Sequence, residues 1–361
     1  MAKILCYIDN MQRGGAQRVM CNLVEHFNGS GHEVILCNDF VLDPQKPQYS
    51  LSPEVKRVYL EKKWSGNVVT QNIKRIIALR RTIKDVKPEI TLSFLGRPNI
   101  RMLIAAIGLK TRTIVSVRND PYKEYGQSKF KKKITQSLFE LADGCVFQTE
   151  DAKNYFSKSV QQRSCVIMNP VDERFFRILS SKPRRHVVTL GRLMKQKNQL
   201  MLIRAYASIC HLFLADDLYI YGIGDMKEQL SDQANMLGIG DRVHFPGNTD
   251  NVTEVLSQAK LFVLSSDYEG MPNALMEAMA AGVASISTDC PCGGPKMLNG
   301  GQDAIKLIPV GATDKLAEAM GLLLSNEDLR REYEQKAKER SQIFSPERIY
   351  SNWDQYLFGS R

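Results

Sequence analysis

Residues 264–288 read LSSDYEGMPNALMEAMAAGVASIST, and the order of residue types here decides the fold. The run 261–264 (LFVL) is short and apolar, the pattern of a buried parallel strand. A polar turn follows, Ser265-Ser266-Asp267-Tyr268-Glu269-Gly270. Pro272 suits the first turn of a helix, and Ala274, Leu275, Met276, Ala278 and Met279 are strong helix formers. Gly282 ends that helix, and 283–287 reads as the next strand. The unit is therefore strand, loop, helix, strand. Glu269 stands at the lip of the loop, and Glu277 lies inside the helix.

That spacing has a physical use. The amides of Asn273, Ala274 and Leu275 open the helix, where N–H groups lack intrahelical acceptors and carry the positive end of the dipole. Such an end receives phosphate. Glu277 lies about 5–7 Å further along the axis, in reach of the two hydroxyls of a ribose. Glu269, ahead of the helix, faces whatever the phosphate carries. In isolation, two glutamates near a helix start serve equally as dipole complement and solvated face. Here Glu277 falls among Leu275, Met276, Ala278 and Met279, and a carboxylate buried among them needs a partner.

With these residues in view, YEGMPNALMEAMAAG (268–282) resembles the E-x7-E signature of the family 4 retaining glycosyltransferases, which have the GT-B architecture. The resemblance implies that Glu269 contacts the donor sugar, that Glu277 binds the ribose, and that Asn273, Ala274 and Leu275 hold the phosphate. It also implies an α/β fold of two Rossmann-like, doubly wound parallel-sheet domains with a cleft between them.

Length agrees with two domains, since 361 residues exceed one typical core. Hydrophobic (43%) and charged (24%) fractions are those of a soluble globular chain. The longest clean apolar run, 102–109, is too short to span a membrane, and the first residues enter a strand pattern without a signal-peptide layout. The eight cysteines are scattered, which reads as free thiols in a reducing cytoplasm. Cys290-Pro-Cys292 has no accompanying His or Cys cluster and reads as loop. The net charge of +10 is uneven: residues 1–178 hold 29 Lys and Arg against 17 Asp and Glu, the remainder 20 against 22. A basic first half calls for an anionic partner.

Strand patterns recur at 3–9, 33–38, 55–59, 90–94 and 113–117, with helices at 67–85 and 98–108, an alternation that predicts a parallel sheet. Gly14 and Gly15 follow the first strand. As a pair they fit a tight turn or a close approach to a ligand, and the resemblance assigns them to the donor phosphates. Arg118, Asn119 and Asp120 follow a later strand, where ligands of such sheets collect. They fit an acceptor site or, equally, a capped turn before Pro121. Many family members carry histidine near Arg118, and this chain does not. Residues 123–142, with Lys129-Phe130-Lys131-Lys132-Lys133-Ile134, have the basic and apolar mix of a helix at an anionic membrane, or of an ordinary solvated helix. Nucleic acid is not expected, because the basic residues lack interleaved aromatics.

Periodicity breaks between Asp172 and His186, where the domain hinge is placed. The expected domains are 1–180 for the acceptor, 181–340 for the nucleotide sugar, and a tail helix, 341–361, crossing back to the first. Past the strand at 186–191, Arg192 and Lys197 are five apart, a forked donor and a point charge suited to a diphosphate. The motif GR-L-x-x-x-K-N resembles the second family signature and implies that both neutralise the departing diphosphate, making Glu269, Arg192 and Lys197 the catalytic set. Gly222-x-Gly224 lacks the third glycine of a dinucleotide fingerprint, and the resemblance places Gly224 near the donor nucleobase.

The function implied is retaining transfer of a hexose or N-acetylhexosamine from a UDP-sugar to a polyprenyl-diphosphate-linked saccharide in bacterial surface-polysaccharide assembly. The enzyme would be cytoplasmic and peripheral on the cytoplasmic face of the inner membrane. No D-x-D motif occurs, so neither metal nor cofactor is expected. A nucleotide-sugar 2-epimerase and a non-catalytic GT-B scaffold remain alternative readings.

Overall fold

A computed structural model describes residues 1–12, 14–41, 48–61, 67–178 and 184–359. Strands β1 (Lys3–Tyr7), β2 (Glu33–Asn38), β3 (Lys56–Tyr59), β4 (Ile90–Phe94), β5 (Arg112–Ser116), β6 (Gly144–Phe147) and β7 (Ser164–Val166) form one sheet in the order β3-β2-β1-β4-β5-β6-β7. Strands β8 (Arg185–Leu190), β9 (Leu218–Tyr221), β10 (Val243–Gly247), β11 (Ala259–Leu264), β12 (Ser285–Thr288) and β13 (Lys306–Ile308) form a second, ordered β10-β9-β8-β11-β12-β13. Every pairing in both sheets is parallel. Helices cover both faces of such sheets, so the central strands are apolar almost throughout, as in KILCY of β1 and AKLFVL of β11.

Each sheet reverses its winding once. In the first, β1 runs out to β2 and β3, and β4 then returns to the other side of β1; in the second the same reversal separates β8 from β11. Ligands of doubly wound sheets bind beyond the carboxyl ends of the strands at this point.

The chain divides into one unit of Met1–Asn169 with Tyr350–Arg361 and another of Pro170–Ile349. The expected boundary at 180/181 falls in residues 179–183, outside the described residues. The structural division comes earlier because Val171 donates its amide to Phe344 O (3.3 Å), tying 170–178 into the second unit. The tail was expected to join the first domain from 341; membership in the first unit begins at Tyr350. There Tyr350 stacks on His26 (4.4 Å between centroids), Asp354 meets His26 Nε2 at 2.9 Å, and fully buried Trp353 stacks on Phe94. Arg112 donates to Leu357 O at 2.6 Å and so holds the helix end.

Element boundaries follow local chemistry. Asn67 caps the helix Val68–Val86 by accepting from Thr70 N, and Lys87 leaves it in the left-handed region just before Pro88.

Candidate active site

In the second unit the reversal sets the loop after β8 beside the loop after β11, and four hydrogen bonds join them. Asp267 N donates to Gln196 O (2.9 Å), Gln196 Nε2 to Tyr268 O (2.8 Å), Ser265 Oγ to Lys197 O (2.9 Å), and Asn198 Nδ2 to Asp267 Oδ1 (2.7 Å). Asn198 sits at φ 45°, a left-handed position asparagine tolerates, and its side chain caps the helix Gln199–Ile209 through Met201 N.

This joined pair of loops places Lys197 Nζ 2.5 Å from Glu269 Oε1, and Ser266 Oγ donates to the same oxygen at 2.6 Å. Glu269 is 7% exposed. A carboxylate buried this far requires both a counter-charge and a hydrogen bond, and it has both. The sequence assigned Lys197 to the donor diphosphate and Glu269 to the sugar it carries; the structure brings the two side chains into direct contact. Arg192, in the same loop, has an exposed side chain, while its carbonyl accepts from Gln199 Nε2 (3.0 Å).

The helix Asn273–Ala280 starts where the sequence placed it, with Pro272 as N-cap. Its hydrogen-bond ladder begins with Met276 N donating to Pro272 O (3.2 Å), so the amides of Asn273, Ala274 and Leu275 lie ahead of it. Glu277 is 5% exposed, on the same helix. Gly294 explains how the Glu269 loop stays close to the next helix: a Cβ there would lie 2.0 Å from Gly270 O. A groove of about 570 Å³ between Asp267, Asp289 and Ile308 touches this loop, but its walls include none of Lys197, Glu269 and Glu277.

Gly224, read from sequence as a donor neighbour, has a packing reason to be glycine. Its Cβ would stand 2.0 Å from Leu193 O, and Leu193 N bonds Ile223 O at 3.0 Å. Gly14 caps the helix Gly15–Gly29 in extended backbone (φ −171°), where a Cβ would crowd the end of the Gln17 side chain and stand at ordinary contact distance from Gln12 O. Its conformation does not require glycine, and neither fact bears on a ligand at Gly14 or Gly15.

In the first unit, Arg118, Asn119 and Asp120 follow β5. Asp120 is buried and accepts from Tyr122 N (2.8 Å) as N-cap of the short helix Pro121–Glu124, so its carboxylate works as the capped turn. Asn119 is half-buried. Arg118 is 8% exposed, donates to Ser116 Oγ (3.3 Å) and Asn169 Oδ1, and lies 4.6 Å from the Phe94 ring centroid. Burial pushes its basicity down to about 9. Glu124 accepts from Gly96 N at 2.7 Å, and burial pushes its carboxyl up to about 7.

Sequence reasoning missed Gln196, Asn198 and Ser266. Asn198 alone had a signal: asparagine directly before an apolar helical pattern marks a cap.

Family profiles match on both halves of the chain: "Glycosyltransferase Family 4" over residues 13–175 and "Glycosyl transferases group 1" over residues 171–340. Among curated relatives, the Campylobacter jejuni GalNAc-alpha-(1->4)-GalNAc-alpha-(1->3)-diNAcBac-PP-undecaprenol alpha-1,4-N-acetyl-D-galactosaminyltransferase is 28% identical, over 98% of this chain and 97% of that protein. The N-acetylgalactosamine-N,N'-diacetylbacillosaminyl-diphospho-undecaprenol 4-alpha-N-acetylgalactosaminyltransferase of the same species is 27% identical, over 99% of this chain and 100% of that one. Anabaena HepE, solved in complex with UDP and glucose, has the same fold, with a TM-score of 0.81 at 16% identity over 99% of each chain.

Proposed function

The chain belongs to the family 4 glycosyltransferases and has their GT-B architecture, and on that premise we propose that it moves a hexose or N-acetylhexosamine from a UDP-sugar to a polyprenyl-diphosphate-linked saccharide, with retention. The observation that carries this reading is the Lys197–Glu269 pair beside the opening of the Asn273 helix, with Glu277 one turn inside. The Asn273, Ala274 and Leu275 amides receive the donor diphosphate, and Glu277 holds the ribose. Lys197 then has two anions to serve, Glu269 and the phosphate, while Glu269 offers its remaining oxygen to the donor sugar.

In the transfer step the bond from the anomeric carbon to the diphosphate oxygen breaks. The acceptor hydroxyl attacks the same face, and its proton passes to the leaving diphosphate. Arg192, Lys197 and the helix-start amides stabilise the charge that develops there, the largest kind of catalytic contribution. These groups take the place a metal would have, so activity persists in excess chelator. Gly14 and Gly15 approach the donor phosphates, Gly224 the nucleobase, and Arg118, Asn119 and Asp120 the acceptor.

The acceptor class is supported by the relatives, whose names place their sugars on diphospho-undecaprenol. Membrane contact is supported by the helix Lys129–Phe139. It buries Thr135 and Phe139 and exposes Phe130 and Ile134 beside Lys129, Lys131 and Lys133. Lys132 instead lies over the Tyr155 ring at 5.0 Å. Among the described residues no helix is long and apolar enough to cross a membrane. Each lysine at an anionic surface adds about 1 kcal/mol.

The test incubates the protein with UDP-, GDP- and ADP-sugars and a polyprenyl-diphosphate saccharide, with and without chelator. A product one sugar heavier from a UDP donor, α-linked when the donor is α-linked, is expected. An isomerised donor without transfer, or no turnover with any donor, would contradict it.

A further inference from the structure

A cation buried in protein is normally matched by a buried anion, because the desolvation cost of several kcal/mol has to be offset. The first unit shows the rule at Arg101, whose guanidinium meets Asp39 Oδ2 at 2.7 Å, with Tyr7 OH donating to the other carboxylate oxygen at 2.6 Å. Arg118 departs from it. Its acceptors, Ser116 Oγ and Asn169 Oδ1, are neutral, and its stacking partner is the Phe94 ring. Among the described residues no carboxylate pairs with it, and its Nε is buried without an acceptor.

The surroundings are polar along one line. Phe94 ends β4, Ser116 ends β5 with Arg118 two residues on, Gln148 follows β6, and Asn169 lies just past β7. Four adjacent strands thus deliver these residues to the carboxyl edge of the sheet, where ligands of this fold class collect. Gln148 is 2% exposed and donates to Asn169 Oδ1 at 2.7 Å, and its own Oε1 is buried without a donor. The edge is therefore built around a guanidinium, with neutral groups that orient it and do not neutralise it.

We propose that Arg118, oriented by Asn169, Gln148 and Ser116, is the receiver for a phosphate group of a bound substrate. A guanidinium offers a planar fork that fits phosphate oxygens in pairs, and a desolvated one favours a multiply charged anion. Gln148 and Asn169 act as positioning residues. The site stands on the first unit's geometry. The glycosyl-transfer reading enters only in naming the source, which is either the diphosphate of the lipid-linked acceptor or that of the donor.

The experiment is calorimetric titration of the full chain with inorganic pyrophosphate, alone and at saturating UDP. The variants are Arg118→Gln, Arg118→Lys, Asn169→Asp and Glu277→Ala, with circular dichroism as the check of folding. Wild type should bind pyrophosphate, and Arg118→Gln should weaken it by roughly tenfold or more, the loss expected for hydrogen bonds to a charged group. Arg118→Lys should retain part of the affinity. Asn169→Asp supplies an internal counter-ion, so it should weaken pyrophosphate by a similar factor while raising the melting temperature, and it serves if Arg118→Gln does not fold. Binding that survives saturating UDP assigns the phosphate to the acceptor; binding that UDP displaces, with UDP itself weakened in Arg118→Gln, assigns it to the donor. A wild type that takes up no pyrophosphate, or Arg118 and Asn169 variants that titrate like wild type, overturns the proposal. Failure of the donor site is separable: UDP would then not bind, or would bind Glu277→Ala equally, while Arg118-dependent pyrophosphate uptake persisted.

Discussion

The second unit's reversal point and the first unit's carboxyl edge both hold a buried cation, and they treat it in opposite ways. Lys197 has Glu269 at 2.5 Å, with Ser266 donating to the same carboxylate oxygen. Among the described residues Arg118 has only neutral acceptors and an aromatic face. The first arrangement is neutral in itself, so a ligand there adds to an existing ion pair. The second is complete only with an anion from outside. A site can thus be held ready either by internal neutralisation or by leaving a charge unmatched, and the two should respond differently to the same change.

The largest difference is expected on removing the cation. Lys197→Ala leaves Glu269 buried without its counter-charge and should cost about 3–5 kcal/mol in denaturant unfolding, with Lys197→Ala/Glu269→Gln recovering part of it. Arg118→Gln removes an unmatched charge and should leave stability nearly unchanged or improved. Equal losses in both would erase the contrast.

Glycine substitution sharpens the same comparison at a smaller scale. Gly294→Ala forces a Cβ to within 2.0 Å of Gly270 O, and overpacking of this kind should cost about 1–3 kcal/mol and loosen the Glu269 loop. Gly14→Ala in the first unit has extended backbone and only a side-chain end to displace, so it should stay within about 1 kcal/mol.

Titration separates the units next. Glu124 in the first unit has its folded-state carboxyl raised, by burial, to about 7 from 4.5. The native state then holds a proton that the unfolded state has already released. Stability is therefore full below about pH 4.5 and falls as pH rises towards 7, by roughly 1–3 kcal/mol. Glu124→Gln should flatten that slope in urea titrations at several pH values. An unchanged slope would place the titrating group elsewhere.

The smallest effect belongs to Ser266→Ala. It deletes one hydrogen bond to Glu269 and leaves the ion pair, for about 1 kcal/mol. A loss as large as that of Lys197→Ala would mean the hydroxyl, not the ammonium, satisfies the carboxylate.

The contrast also explains what the sequence could disclose. Glu269, Gly270, Pro272 and Glu277 lie within nine residues, so helix periodicity and turn chemistry alone put them on one strand–loop–helix unit. Lys197 is 72 residues from Glu269, yet its own loop carries a recognisable local pattern, and the reversal between β8 and β11 closes the distance. The Arg118 group has no such pattern. Phe94, Ser116, Gln148 and Asn169 come from four segments, and only the strand order makes them neighbours. Two of those strands, β6 and β7, have four and three residues, too short for periodicity to declare them. Asp120 shows the limit from the other side: a carboxylate before proline reads equally as cap or ligand, and the 2.8 Å bond from Tyr122 N shows the cap without bearing on a ligand.

The central claim is that the Asn273 helix opening and Glu277 hold a nucleotide, and UDP titration of wild type, Glu277→Ala and Arg192→Ala by calorimetry tests it most directly. Tight UDP binding by wild type is predicted, weakened by roughly tenfold or more in Glu277→Ala through loss of the ribose hydrogen bonds to a charged acceptor, and to a smaller degree in Arg192→Ala. UDP binding of equal strength in all three proteins would contradict it.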